Sequence, residues 1–318
     1  MAKKFDVLCL GAAIVDLPLK PVSKAIFEKE ASYPVDGIRM AIGGDAINEA
    51  TILKRLGHRV SLAGCVGNDV PGKFVLDHCA ENEIDTTYMS IRERIDTSIN
   101  VALVTADGER TMITNRQGSL WKFCEDDFDM AALNDASVIS FSFFNTPLMT
   151  GKVMEKIFAK AKENGMLICA DMIKPRLGET LEDIRGALQY VDYFFPNEEE
   201  ARILSQKTDV DEIADVFLEC GVKHVIVKTD DKKCLIKSKK ERHLVPGYER
   251  SVCVDTIGAG DNFEAGFITA ILEGKDFRSC AEFAHSVASI SVESAGATAG
   301  VRSREQVEER YQKYLCSK

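Results

Sequence analysis

The chain has 318 residues, of which 45% are hydrophobic and 28% charged. That is enough apolar material for a large packed core, and it excludes a disordered tail, a collagen-like rod or a disulfide-stapled miniprotein. With 40 basic against 50 acidic residues the net charge is -10, so nothing general attracts a phosphate backbone and nucleic acid is not an expected partner.

Met1-Ala2-Lys3-Lys4-Phe5 leads directly into a strand-like run, without the apolar core of a signal peptide. No segment approaches the roughly 18 uninterrupted apolar residues of a membrane span, and the reading is a cytoplasmic protein with no membrane role. Strand-length apolar runs at 6–10, 60–65, 137–142, 166–171, 191–195 and 223–228 alternate with helical patterns at 45–57, 71–83, 150–164, 197–204, 210–220, 260–273 and 276–294. Continuous runs between helices predict a mostly parallel sheet covered on both faces, the doubly wound α/β class. Two segments break the pattern. Residues 12–43 hold no helix beyond a turn near Ser23–Glu28, and 97–116 read as a hairpin about Asp107-Gly108. Both are expected to build a small β-sheet lid on a single domain spanning 1–318. The ten cysteines include no C-x-x-C pair, and several lie in apolar runs such as Leu167-Ile168-Cys169-Ala170, so reduced core thiols are expected.

The chemistry is concentrated in Asp255-Thr256-Ile257-Gly258-Ala259-Gly260-Asp261-Asn262-Phe263. An apolar strand at Ser251–Val254 is expected to enter a glycine-rich turn and then a helix. Glycines there let backbone amides approach a ligand closely, and the positive helix end suits a phosphate or its transition-state charge. Asp261 in the first turn is placed to take a proton from a hydroxyl beside that phosphate. The bland alternative is a plain turn followed by an ordinary capping aspartate.

The longer string closely resembles the D-T-x-G-A-G-D signature of ribokinase-like (PfkB-type) carbohydrate kinases. Gly43-Gly44-Asp45-Ala46-Ile47-Asn48-Glu49-Ala50 resembles the family's second signature, and Asn197-Glu198-Glu199-Glu200 its N-x-x-E motif. Gly64-Cys65-Val66-Gly67-Asn68-Asp69 adds to the likeness, which covers essentially the whole chain. The resemblance implies a ribokinase-like fold and transfer of the ATP γ-phosphate to a sugar-like alcohol. Asp261 then matches the general base, and the amides of Ile257, Gly258, Ala259 and Gly260 match the anion hole. Asp16, Gly43, Gly44 and Asn48 match the substrate contacts. Asn197 falls near the nucleotide phosphates and Glu200 at a water-mediated Mg²⁺ site, although the spacing of these two is also that of a helix cap. His285 matches a position flanking adenine. For members activated by K⁺, the corresponding positions are Asp255, Ile257, Ser291, Ser294, Gly296 and Gly300. The family's lid sheet pairs between subunits in several members, which points to a homodimer.

Three departures bear on substrate and nucleotide. The family's T-x-G-x-x-G loop is replaced by Lys228-Thr229-Asp230-Asp231-Lys232-Lys233, with both glycines gone. A left-handed turn is then expected to sit poorly at Asp230 and Lys233, with Lys228, Thr229 and Lys233 left to meet the nucleotide. Asn145 stands where ribokinases carry a glutamate. In Asp171-Met172-Ile173-Lys174-Pro175-Arg176, isoleucine replaces the asparagine of the D-x-N-x-R stretch of fructokinase and ketodeoxygluconate kinase relatives. Lys174 and Arg176, with Arg110 and Arg116, hint at an acidic or phosphorylated substrate, and Asn145 and Arg176 join the expected substrate contacts. The reading is a fructokinase- or ribokinase-like sugar kinase using ATP and Mg²⁺, with a ketodeoxygluconate-type or nucleoside kinase as the alternative. A catalytically weak binding or scaffold protein on the same fold is the competing class. An NAD-dependent oxidoreductase is set aside, because Gly11-Ala12-Ala13-Ile14 after the first strand lacks the dinucleotide fingerprint.

Overall fold

The computed structural model describes residues 3–28, 32–106 and 110–316. The first eight strands are β1 (Phe5–Leu10), β2 (Ile14–Val22), β3 (Gly37–Ile38), β4 (Ala41–Gly43), β5 (Val60–Gly67), β6 (Asp85–Arg92), β7 (Ile99–Thr105) and β8 (Arg110–Thr114). Then come β9 (Ala136–Phe143), β10 (Leu167–Met172), β11 (Tyr193–Phe194), β12 (His224–Lys228), β13 (Lys233–Ser238) and β14 (Arg242–Pro246). The helices are α1 (Asp45–Arg55), α2 (Val70–Glu81), α3 (Ser119–Lys122), α4 (Ala132–Asp135), α5 (Gly151–Glu163) and α6 (Leu181–Leu188). They continue with α7 (Glu198–Ser205), α8 (Val210–Glu219), α9 (Ala259–Leu272), α10 (Phe277–Ser291) and α11 (Arg304–Leu315).

Nine strands form the main sheet in the order β14-β13-β12-β11-β10-β9-β1-β5-β6. All pairings from β12 to β6 are parallel, and only the β13 and β14 edge is antiparallel. Central strands such as β1 and β9 are buried along almost their whole length, because helices cover both faces. One apolar layer joins α5, α6 and α8 to the sheet through Phe158, Ile184 and Phe217. The other brings α1, α9 and α10 to the opposite face through Ile47, Phe267 and Phe283.

The second sheet runs β3-β2-β7-β8, with β4 also paired to β2. Asp16 of β2 sits in register with Ala41 on one side and Asn100 on the other, which places it over the start of α1. The strands flanking the expected hairpin are antiparallel partners, and its Asp107-Gly108 turn lies outside the described residues.

Several expectations need correction. Ser251–Val254 is not a strand: Val252 and Val254 are 73% and 63% exposed, and the segment is held to the body by the Val254 amide donating to the Val292 carbonyl. The helix expected through 294 ends at Ser291. The strands β6, β13 and β14 and the helices α6 and α11 escaped the sequence reading. β6 and β14 are the edges of the sheet and the two helices lie on the surface, where polar and charged residues dilute the apolar periodicity, while β13 holds only the short apolar run Cys234-Leu235-Ile236 between lysines. All ten cysteines are free, and only Cys253 and Cys316 are exposed.

Candidate active site

The N-terminus of α9 organises the site. Gly258 caps the helix at φ 72°, and a Cβ there would stand 2.5 Å from the Ala297 Cβ, so both the conformation and the close approach demand glycine. Asn262 fastens the same turn by donating to the Gly258 and Ala297 carbonyls at 2.7 and 2.8 Å. The Ile257 amide donates to the Asp255 carboxylate and the Ala259 amide to the Thr256 carbonyl. Of the four amides in 257–260, those of Gly258 and Gly260 have no acceptor among the described residues.

Asp261 lies in the first turn of α9 and accepts a 2.7 Å hydrogen bond from the Asn48 amide of α1. Burial pushes its carboxyl up to about 6, against the pull of that bond. Asp45, in the first turn of α1, accepts from the Ala12 amide at 3.2 Å, and burial with the Asp261 charge pushes it up to about 7. Asp16 reaches in from the second sheet. Burial raises it to about 6, with the Asn100 amide opposing. Gly43 has to be glycine here, since a Cβ would fall 2.3 Å from the Asp16 carboxyl. Gly44, at φ 104°, lets α1 begin against the Ala12 carbonyl.

Among the described residues, six buried side-chain polar atoms have no hydrogen-bond partner in the protein. Three of them, Asp16 Oδ1, Asn48 Oδ1 and Asn100 Oδ1, are acceptors that border Asp261 or the strands above it. Buried acceptors left unpaired await donors, and hydroxyl groups are donors of the right kind. Phe144 takes a left-handed backbone (φ 69°) immediately before Asn145, a strained conformation for an aromatic residue that fixes the turn after β9. The Asn145 side chain helps to hold the Asp45 carboxyl down against its burial, and the Asn145 backbone carbonyl accepts from Arg176 at 2.8 Å. The Arg176 guanidinium also lies over the Trp121 ring at 5.2 Å, with Arg116 at 5.8 Å. Lys174 is directed elsewhere, into a 3.0 Å ion pair with Glu199.

On the other side of Asp261 opens a cavity of about 570 Å³. Its lining includes Asn197, Lys228, Thr229, Gly260, Phe263 and His285. Lys228 donates to Asp171 at 2.5 Å, and a Cβ on Gly260 would lie 3.2 Å from its ammonium, so this cation faces the helix N-terminus. Burial opposes its charge, but Asp171 and Glu200 hold its pKa above the ordinary lysine value. Asn197 and Glu200 form a reciprocal cap on α7, so the capping arrangement that their spacing suggested is present. Burial and the Asp171 charge, against Lys228, push Glu200 up to about 7. His285 is buried with its Nε2–H directed to the Val245 carbonyl at 3.3 Å; burial drops its pKa to about 4, so the ring is neutral.

The 228–233 loop differs from expectation. The left-handed residue is Lys232, at φ 62°, and neither Asp230 nor Lys233 adopts that conformation. The turn closes through Thr229, whose amide donates to the Lys233 carbonyl, while Lys233 pairs with Asp231 at 2.6 Å. At the expected monovalent-cation positions, the Asp255 carboxylate also accepts from the Gly296 amide at 3.0 Å and so ties two loops together. Ser291 Oγ donates to the Ala288 carbonyl, the Ser294 amide to the Ser291 carbonyl, and Gly300 packs against Ile290 and Ser291. A second cavity, of about 630 Å³ between α5 and α6, contains none of these residues.

Residues 4–304 match the pfkB family of carbohydrate kinases, and the chain belongs to that family. It is a carbohydrate kinase on a ribokinase-like fold. The chain is 29% identical over 280 residues to the ribokinase of Haemophilus influenzae, covering 84% of this chain and 86% of that one. It is 27% identical over 302 residues to an ATP-dependent 6-phosphofructokinase of Thermoanaerobacterium thermosaccharolyticum, covering 93% and 90%. The crystal structure of a ribokinase from Thermotoga maritima superposes with a TM-score of 0.83 at 26% identity, covering 97% of this chain and 99% of that one.

Sequence reasoning passed over Asp45 and Asn100, and did not foresee that Asp171 would pair with Lys228. Asp45 carried a usable signal, an acid directly after Gly43-Gly44 in the first turn of the helix that also carries Asn48. The Asp16–Asn100 and Asp171–Lys228 pairings are products of strand register and had none.

Proposed function

We propose that the protein transfers the γ-phosphate of ATP to a hydroxyl of a sugar or sugar derivative, with Asp261 as general base. The observation that carries the reading is the set of unpaired buried acceptors on Asp16, Asn48 and Asn100, next to a carboxylate at a glycine-lined helix N-terminus. Asp16 and Asn48 hold neighbouring hydroxyls of the acceptor, Asn145 and Arg176 border it, and Gly43 and Gly44 bring the backbone close. Asp261 removes the proton from the hydroxyl that attacks. The Gly258 and Gly260 amides, with the Lys228 ammonium, stabilise charge on the phosphoryl group in transfer. The nucleotide occupies the 570 Å³ cavity, with His285 and Phe263 on the base side and Lys228, Thr229 and Lys233 toward the phosphates. The second sheet serves as a lid that excludes water.

No cluster of three or more acidic, histidine or cysteine side chains able to hold a metal occurs among the described residues. Mg²⁺ would be carried by the nucleotide phosphates, with Glu200 reaching it through water, because magnesium keeps much of its hydration. Bound there, it would neutralise phosphate charge. K⁺ activation through the loops tied by Asp255 is part of the same reading, as is a homodimer through the second sheet, whose edge strands expose Ile38, Met112 and Ile113.

A sugar acid is the second reading for the acceptor, favoured by the two guanidinium groups over Trp121. ATP consumption across monosaccharides, sugar acids, sugar phosphates and nucleosides, with Mg²⁺ and with or without K⁺, tests the set. One acceptor should stand out. Silence across the panel from folded protein, with ATP binding undetectable, would return the chain to the non-catalytic class.

A further inference from the structure

Directly beneath the Asn48–Asp261 contact lie two carboxyl groups that the proposed reaction does not use. Glu49 follows Asn48 on α1, and Glu264 stands one turn beyond Asp261 on α9. They are 2% and 0% exposed. Between them, at 1% exposure, sits Ser140 of β9, whose neighbours in the sheet are Cys9 of β1 and Cys169 of β10. Its hydroxyl oxygen is within hydrogen-bond reach of Glu49 Oε2 and lies 3.1 Å from Glu264 Oε1.

A serine hydroxyl carries one hydrogen, and a carboxylate carries none. Ser140 can therefore donate to one glutamate only. The other contact is a hydrogen bond only if that glutamate is protonated and donates to the Ser140 oxygen. Two ionised carboxylates at this depth would also stand against each other with one hydroxyl to serve both, an arrangement that like-charge pairs avoid by retaining a proton. The groups that face them are Asp45 from α1, Asp261 from α9, Asp171 from β10 and Lys228 from β12, together with the thiols of Cys9 and Cys169. Lys228, the one cation in that set, is already engaged by Asp171. Burial first, and the neighbouring acids second, hold both glutamates well above the ordinary carboxyl range.

We propose that Glu49, Ser140 and Glu264 form a proton-holding carboxyl pair that pins α1 to α9 beneath Asp261, which makes Glu49 and Glu264 positioning residues for the base. The importance of the pair rests on Asp261 acting as the base, but its existence does not. While the pair keeps its proton, α1 and α9 stay together and the Asn48 amide remains on Asp261. Loss of that proton would bury an additional negative charge behind a carboxylate that has itself to be ionised to work.

The test needs no substrate. At about pH 9, well above the range of ordinary carboxyl groups, wild-type protein should keep an infrared band of protonated carboxylic acid. Glu49→Gln and Glu264→Gln, made singly, should each lower the pH at which the band disappears, because the remaining glutamate loses its charged neighbour and gains the Ser140 hydroxyl and the new amide, and the double variant should lack the band altogether. Asp261→Asn should shift the disappearance of the band down by roughly one pH unit, since an adjacent negative charge is gone. Carbon-13 titration of aspartate-labelled protein then reads positioning. Glu264→Ala should free the Asn48 contact and raise the Asp261 midpoint, and Glu264→Gln should restore it. If Glu264→Ala does not fold, Ser140→Ala removes the shared hydroxyl instead and is expected to raise the midpoint in the same way. Absence of the acid band, a band indifferent to the Asp261 charge, or midpoints that do not respond to these changes would each overturn the proposal. The turnover of Asp261→Asn tests the base role separately.

Discussion

Asp261→Asn separates two consequences of the same burial. The folded chain holds the Asp261 carboxyl at about 6, against 3.8 for an ordinary aspartate. Below pH 3.8 the group is protonated in both folded and unfolded chains and contributes nothing. Between 3.8 and about 6 the folded chain retains a proton that the unfolded chain releases, so stability falls as pH rises through that window and stays at its lower level above it. A difference of about two pKa units corresponds to at most ~3 kcal/mol at neutral pH. Asparagine carries no charge to desolvate, and its Oδ1 can still accept from Asn48. The variant should therefore melt several degrees higher than wild type at pH 7, and the gain should vanish at about pH 4. Turnover should move the opposite way, by roughly 10²- to 10⁴-fold, the usual worth of a general base. Calorimetry at two pH values, with steady-state kinetics on the acceptor that the panel identifies, measures both. A variant that turns over like wild type would falsify the base assignment, and one destabilised at neutral pH would refute the burial argument.

Wild-type kcat/KM should decline as pH falls through about 6, where Asp261 takes up its proton and ceases to be a base. Asn48→Ala removes both an acceptor contact and the donor that favours ionised Asp261. It should raise the acceptor KM and move that acidic limb to higher pH, and an effect confined to ATP affinity would contradict the placement of Asn48. Gly258→Ala combines a left-handed backbone with a 2.5 Å approach to Ala297 and should cost about 1–3 kcal/mol of stability while abolishing most transfer; a melting point and turnover equal to wild type would refute the cap geometry. Cys253 is an exposed thiol on the wall of the proposed nucleotide cavity, whereas exposed Cys316 lies outside it. ATP should slow alkylation of Cys253 and leave Cys316 unaffected, as mass spectrometry of labelled peptides would show, and equal rates at both would move the nucleotide elsewhere.

Periodicity and local chemistry determined a good deal of this protein before any coordinates. The apolar runs at 6–10, 137–142 and 166–171 have the length and continuity of strands covered on both faces, and they form the centre of the sheet. Gly258, three residues before Asp261, specifies a close-approach helix start, because its left-handed backbone and its 2.5 Å approach to Ala297 leave no room for a Cβ. Edge strands such as β6 and β14 were not legible, since solvent allows arginine and other polar residues where a central strand would need valine. Tertiary structure alone decided which polar groups meet. Asn48 reaches Asp261 across 213 residues, Ser140 reaches Glu264 across 124, and Lys228 finds Asp171 across 57. Those encounters depend on strand order and on which helices share a face of the sheet. Burial then sets their protonation, and burial is a property of the whole packed chain rather than of any segment of it.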